Sequence, residues 1–501
     1  MTVTNRGGGP FSGFLRTKSV EQAIRDTEEP EFQLRKALGP VQLTIMGIGV
    51  LIGTGVFVLA GEAAANYSGP AVALSFLIAG VVCALAALCY AEFASSVPVA
   101  GSAYTFSYAS MGEFIAWMIG WDLILEFTLG AATVSKGWSG YFDSVLGKLG
   151  LSIPDAISSA PEDGGVVDVP AMFISLAMMV VLIIGIRLSA WVNATITTLK
   201  LLIVAGILII GSFYVTSSNW IPFIPESKPA DYSDAVGGTP LLLQILGINS
   251  GFGITGVFTG AAVVFFAYLG FDIVATLSEE VKNPQKTMPI GIIASLTIAT
   301  VLYIVVSLVY TGILPYQQLG VEAPAAAAMA ATGVPAAEFI ISLGILIGLT
   351  VVIMTLMLGQ TRVAFAMSRD HLLPSTLAKV HPKYRTPYKL TIITGVVSAI
   401  LCGFIPLSEL AALVNIGTLA AFVLVSIGVI VLRKKRPDLP RTFKTPLVPF
   451  IPILSAVLCF GVALFLPVDT WLRFVGWMVI GFIVYYFYGR TRSRLVTGEH
   501  A

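Results

Sequence analysis

The sequence predicts an all-α polytopic membrane protein with about twelve transmembrane helices. Three observations carry that prediction: scarce charge, repeated apolar runs of membrane-spanning length, and basic residues confined to alternate connections. Of 501 residues, 56% are hydrophobic and only 11% charged, and the mean hydropathy is +0.88. Soluble domains carry about 25% charged residues, so this chain lacks the polar surface to face water on all sides. The net charge of +1 is spread between long apolar runs and gives no basis for nucleic-acid binding.

A helix needs roughly 20 apolar residues to cross the hydrocarbon layer at about 1.5 Å per residue. Such runs lie near 41–62, 70–94, 114–138, 169–187, 191–215 and 256–280, then near 289–312, 337–361, 388–406, 409–432, 447–466 and 470–488. Residues 1–40 are polar and basic, with Arg6, Arg16, Lys18, Arg25, Arg35 and Lys36, and contain no apolar core of signal-peptide length. They read as a cytoplasmic tail. Basic residues orient the rest. Lys282, Lys286, the cluster from Arg362 to Lys389, the run Arg433 to Arg436 with Arg441 and Lys444, and Arg490, Arg492 and Arg494 all fall on the side of the N-terminus. The alternate loops hold little beyond Lys148, Lys228 and Arg473. Both termini are expected in the cytoplasm of a cell bounded by this membrane, which demands an even number of spans.

The first span contains Gly47, Gly49, Gly53 and Gly55, four glycines in nine residues. Each costs about 1 kcal/mol of helix propensity relative to alanine. Glycines also let helices pack closely, but the Gly53-Thr54-Gly55 core lacks the Ala or Ser alternation of a simple seam. Unwound backbone at membrane depth is tolerated only where protein buries it or a polar cavity receives it. The sixth span carries a second candidate break at Phe266-Ala267-Tyr268-Leu269-Gly270, followed by Asp272. Spans 1 and 6 correspond if the first ten helices form two five-helix repeats. Interrupted helices at matching places point to a transporter's binding site. A half-helix starting after Gly53 would offer free N–H groups to an anion, and carbonyls exposed at the breaks would receive an ammonium. Together these suit the two ends of an amino acid.

The motifs carry a family likeness. "GIGVLIGTGVFVLAG" followed by "GPA", and "YAEFASSVPVAGSAYTFSY" after span 2, resemble the amino acid–polyamine–organocation transporter superfamily. "GWDLILEF" with "WSGYF" in span 3, "GFDIVATLSEEVKNPQKTMP" in span 6 and "LGQTRVAFAMSRDHLLP" after span 8 resemble its cationic amino acid transporter branch. His371 departs from the glycine usual before "LLP" in that branch. The resemblance runs from about Leu38 to the twelfth span and implies a five-plus-five inverted-repeat fold with alternating access. The expected division is a tail at 1–40, repeats at 41–215 and 256–432 joined by an extracellular connection at 216–255, helices 11 and 12 within 433–489, and a cytoplasmic tail at 490–501. The likeness also implies that the N–H groups of Thr54 and Gly55 bind the substrate carboxylate. The carbonyls of Leu51, Phe266, Ala267 and Leu269 would hold the amine, with Gly53 and Gly270 as break points.

Charges within the spans extend this reading. Lys200 lies about nine residues, or roughly 14 Å, into span 5. A central lysine costs about 2.5–3.5 kcal/mol on insertion scales and marks a functional position unless it snorkels. In proton-coupled members of the superfamily a span 5 lysine stands where sodium-coupled relatives bind a cation, and Thr350 in span 8 is the matching neighbour. Proton coupling or plain facilitation is therefore expected over sodium coupling. Glu126 lies near mid-membrane in span 3, with Asp122 one turn earlier on the same face. Glu126 could meet a cationic side chain, pair with a lysine or fix helix packing. Asp272 is expected to position or gate the second half of span 6. Lys136 is expected to snorkel at the outer end of span 3, and Trp121, Trp138 and Trp191 to anchor at the interface.

No cofactor is expected. Cys83, Cys89, Cys402 and Cys459 lie in apolar runs without CxxC spacing, and His371, His381 and His500 lie outside those runs. An ion channel would need a repeated filter or charged rings, and an embedded enzyme a motif such as HExxH or a P-loop; the sequence contains neither. Ala325 to Ala331 read as an outer loop or short helix. Cationic, small neutral and polyamine substrates stay open, as do symport, exchange and facilitation.

Overall fold

The structure is a computed structural model and describes residues 16–17, 38–97, 102–185, 190–229, 238–278, 281–334, 336–384 and 386–497. The expected N-terminal tail apart from Arg16, Thr17 and residues 38–40, the side chain of Trp191, and His500 lie outside the described residues.

Twelve helical spans are present among the described residues. Span 1 is Pro40–Leu51 followed, after Ile52, by a second half that runs through Gly55–Leu59 to Ala64–Ser68. Spans 2 to 5 are Val72–Ser96, Glu113–Lys148, Val169–Ile184 and Ala190–Ser212. Span 6 is Gly253–Val264, a tight turn at Phe265–Tyr268, and Phe271–Thr276. Spans 7 to 10 are Pro284–Ile313, Ala337–Arg369, Tyr388–Phe404 and Leu407–Lys435. Spans 11 and 12 are Phe450–Ala463 and Val468–Val484, the latter continuing to Arg492. The alanine-rich patch forms a short helix, Pro324–Ala331.

Helix ends follow local chemistry. Span 4 starts where the Asp168 carboxylate accepts the N–H of Ala171 at 3.0 Å, and stops at Gly185 with φ +79°. Span 7 starts at Pro284, where a missing N–H costs nothing. Span 3 extends well past the expected 114–138. An apolar-length criterion stops where polar residues begin, but here Ser135, Lys136 and Ser139 are buried against neighbouring helices and the helix continues.

The most extensive packing joins span 3 to span 8 and span 2 to span 7; span 4 against span 9 follows, equalled by span 3 against span 10. In the pairs 3–8, 2–7 and 4–9 the partner lies five spans later, and the two interrupted spans, 1 and 6, also meet. That pairing is the signature of two five-helix repeats wrapped around one another, with spans 11 and 12 added outside.

Helix direction alternates, so Arg16 and Ser493 share one face, called here the terminal face. Both dock on the start of span 3. The Glu113 N–H donates to the Arg16 carbonyl at 2.7 Å, and the Glu113 carboxylate accepts Ser493 at 2.5 Å, Tyr485 at 3.0 Å and Tyr108 at 3.1 Å. On the same face Arg433 grips Glu92 with two bonds of 2.7 and 2.8 Å. All four cysteines are free and fully buried.

Two sequence expectations fail. Lys136 does not snorkel: it is buried and pairs with Asp168 and Asp163, each at 3.4 Å. A cation on a helix flank finds a carboxylate on span 4 more cheaply than it finds water. Trp138 is no interface anchor either. It is buried, and its indole donates to Thr350 at 3.0 Å. Trp121 stacks between Trp117 and Trp477, at centroid distances of 5.6 and 4.5 Å.

Candidate functional site

The first break starts where Ile52 leaves the helix at ψ 95°. The next half-helix starts at Gly55 with no side-chain cap. Its leading N–H groups, those of Gly53, Thr54 and Gly55, therefore have no carbonyl one turn behind them. The Thr54 side chain is fully buried, and its hydroxyl takes no hydrogen bond among the described residues. Gly55 is required by contact: a Cβ there would overlap the backbone of Ala267. Gly53 is less confined, since a Cβ there would meet Val352 and the Val50 carbonyl at an ordinary 3.7 Å.

Ala267 belongs to the second break. The tight turn ends at Leu269, which turns outward with ψ 125°, and Gly270 follows at φ +122°, a conformation that disfavours other residues. The Gly270 N–H donates to the Asp272 carboxylate at 3.2 Å, closing the start of the next half-helix. The two breaks thus lie back to back, and residues from far along the chain lock them together.

Tyr303 on span 7 is one such lock. Its hydroxyl lies 2.6 Å from the Leu51 carbonyl and 2.7 Å from the Ala267 carbonyl. The single phenol proton is shared between these two carbonyls or serves one at a time, and because a carbonyl has two lone pairs each can still face a second donor. The Phe266 carbonyl accepts the Leu269 N–H at 3.0 Å. Asn415 on span 10 is another lock: its side-chain amide donates to the carbonyls of Ala262 and Val263 at 2.7 and 3.2 Å. Sequence reasoning missed both residues. A phenol or amide in mid-span must find a partner, and that rule alone could have flagged them.

Lys200 is buried and its ammonium donates to the carbonyls of Gly49 at 2.6 Å and Ile52 at 3.1 Å, the carbonyls loosened by the first break. Its stem passes Gly348 of span 8, where a Cβ would come within 2.9 Å. The Thr350 hydroxyl, two residues on from Gly348, accepts from the Trp138 indole at 3.0 Å.

Glu126 stands one turn from Gly130, whose Cβ position would lie 3.0 Å from Leu269. Both its carboxylate oxygens are buried without a hydrogen-bond partner among the described residues. The charged groups whose fields reach it are Asp272 and Asp122. Asp122 packs against Gly417 of span 10. Neither Asp122 nor Glu126 forms an ion pair among the described residues, so the lysine partner considered for Glu126 is not found there.

This geometry, two interrupted helices meeting inside paired repeats, coincides with one sequence family: the model for amino acid permeases matches residues 38–487. The chain belongs to the amino acid permease family. Two relatives from Bacillus subtilis (strain 168) cover nearly everything. The methylthioribose transporter is 46% identical over 97% of this chain and all of its own length. The branched-chain amino acid permease BcaP is 46% identical over 96% of this chain and 98% of its own. The vacuolar cationic amino acid transporter 4 of Arabidopsis thaliana is 36% identical over 85% of this chain and 68% of its own. The expected superfamily is therefore that of the chain, and this permease is a multi-pass membrane transporter.

Proposed function

We propose that this permease carries a neutral amino acid of branched-chain size across the plasma membrane, by alternating access and coupled to protons. The observation that carries the proposal is the contact of Gly55 with Ala267. It brings the start of one half-helix, which has no side-chain cap, against the backbone of the other break. The N–H groups of Thr54 and Gly55 would bind the carboxylate, assisted by the Thr54 hydroxyl. The carbonyls of Leu51, Ala267 and Leu269 would take the ammonium. The relative named for branched-chain substrates matches along 98% of its length, which supports a neutral side chain. Lys200 would exchange the coupling proton, because its ammonium holds the Gly49 and Ile52 carbonyls just before Gly53 and its deprotonation would release that segment. The terminal face would be cytoplasmic, since the basic clusters lie there.

The direct test is counterflow in proteoliposomes with leucine, alanine, arginine, putrescine and methylthioribose. Saturable exchange of leucine is expected. Exchange of methylthioribose alone would sink the proposal. A cationic substrate is the second reading, favoured by the unpaired carboxylate of Glu126. It predicts that Glu126→Gln abolishes arginine exchange while leaving alanine exchange within about threefold, a loss of one charge-assisted contact.

A further inference from the structure

A cavity of about 30 Å³ lies near the face opposite the termini, between the second half of span 1, the first half of span 6, and span 10. Around its wall stand Glu62, Thr259, Ser408 and Asn415, with Val263 and Phe465 as apolar neighbours. Its size suits one or two water-sized groups. Among the described residues no lysine or arginine lines it.

The orientation of Asn415 is fixed by its partners. Because the side-chain nitrogen must face the carbonyls of Ala262 and Val263, the amide oxygen faces away from them. That oxygen is buried, on a side chain 1% exposed, and takes no hydrogen bond among the described residues. Glu62 is half-buried and forms no ion pair or hydrogen bond among the described residues. The Thr259 hydroxyl spends its proton on the Thr255 carbonyl at 3.1 Å, leaving lone pairs. The wall is thus rich in acceptors and carries an uncompensated acid. A buried acceptor without a donor is costly. A compact positive donor answers both needs, whereas an anion is repelled.

We propose that this cavity is a second binding site, for a small primary ammonium group. It would recognise the amine without a carboxylate, unlike the paired breaks. Asn415 connects the two places, because the same side chain that offers its oxygen here caps the half-helix leading into the span 6 break. An amine seated at Asn415 is therefore one helix turn from the central site. The site goes beyond the transport reading and stands whether or not the central site takes a neutral amino acid.

The test uses purified full-length protein and methylammonium chloride, with sodium chloride at equal ionic strength as control, read by thermal unfolding. A saturable rise in Tm is expected with methylammonium and not with sodium. Glu62→Gln should weaken it at least tenfold, while Tyr303→Phe, which disturbs only the central site, leaves it within about threefold. Should Glu62→Gln not fold, Ser408→Ala supplies the same test, with about a threefold weakening expected. No saturable rise, an equal rise with sodium, or an undiminished rise in the cavity variants overturns the site. A rise lost in Tyr303→Phe alone assigns the amine to the helix breaks and overturns it equally.

Discussion

The Tyr303 hydroxyl lies 2.6 Å from the carbonyl oxygen of Leu51, the last helical residue before the span 1 break. The same oxygen is 2.7 Å from the Ala267 carbonyl in span 6. One phenol on span 7 therefore ties two interrupted helices that share no covalent connection for some two hundred residues. The pair is built to move together or not at all. Tyr303→Phe removes one hydrogen-bond donor and no packing volume. The expected result is folded protein with substrate affinity weakened about tenfold, corresponding to about 1–1.5 kcal/mol for a buried hydrogen bond. Counterflow with titrated substrate reads the change directly, and unaltered affinity would show the phenol to be passive.

The two glycines that flank Thr54 should respond differently. Gly55→Ala drives a methyl group into the Ala267 backbone, which cannot yield as a side chain would. Gly53→Ala meets only ordinary contacts at 3.7 Å. Transport is expected to fall at least about a hundredfold for the first, the scale set by a misplacement of about 1 Å at a binding centre, and within about tenfold for the second. Equal loss for both variants would mean that flexibility, not close approach, explains Gly55.

Lys136 and Asp168 form a buried pair, so breaking it is costly and removing it whole is not. Lys136→Met should lower stability by about 3–5 kcal/mol. The double variant Lys136→Met with Asp168→Asn should recover much of that loss. Denaturation in detergent measures the cycle. Additive losses in the double variant would show that the two charges do not interact.

Lys200→Met removes the cation bound to the Gly49 and Ile52 carbonyls. Under proton coupling, uptake in this variant should no longer accelerate with an inward proton gradient, while substrate exchange without a gradient persists. An intact response to the gradient would assign the coupling proton elsewhere.

Much of the fold was legible because lipid imposes a length. Twelve apolar runs gave twelve spans, and the glycines at 53, 55 and 270 marked both breaks, since helix propensity is a local property. The rest depended on neighbours. Lys136 and Trp138 look identical in sequence to snorkelling and interface residues, and only Asp168 and Thr350 on other helices make them interior. Thr350 was matched to Lys200 by likeness, and its bond from the Trp138 indole was not visible in sequence. Tyr303 and Asn415 complete the site from 252 and 153 residues away in sequence. No window along the chain could disclose such partners.

The four buried cysteines carry a practical consequence. Thiol reagents cross folded protein slowly and attack the ionised, accessible sulfur. A maleimide spin label or fluorophore should therefore leave the native chain essentially unmarked. Cysteines introduced in pairs on exposed turns could then report the rocking of one repeat against the other in an otherwise unaltered background, without first constructing a thiol-free version of the molecule.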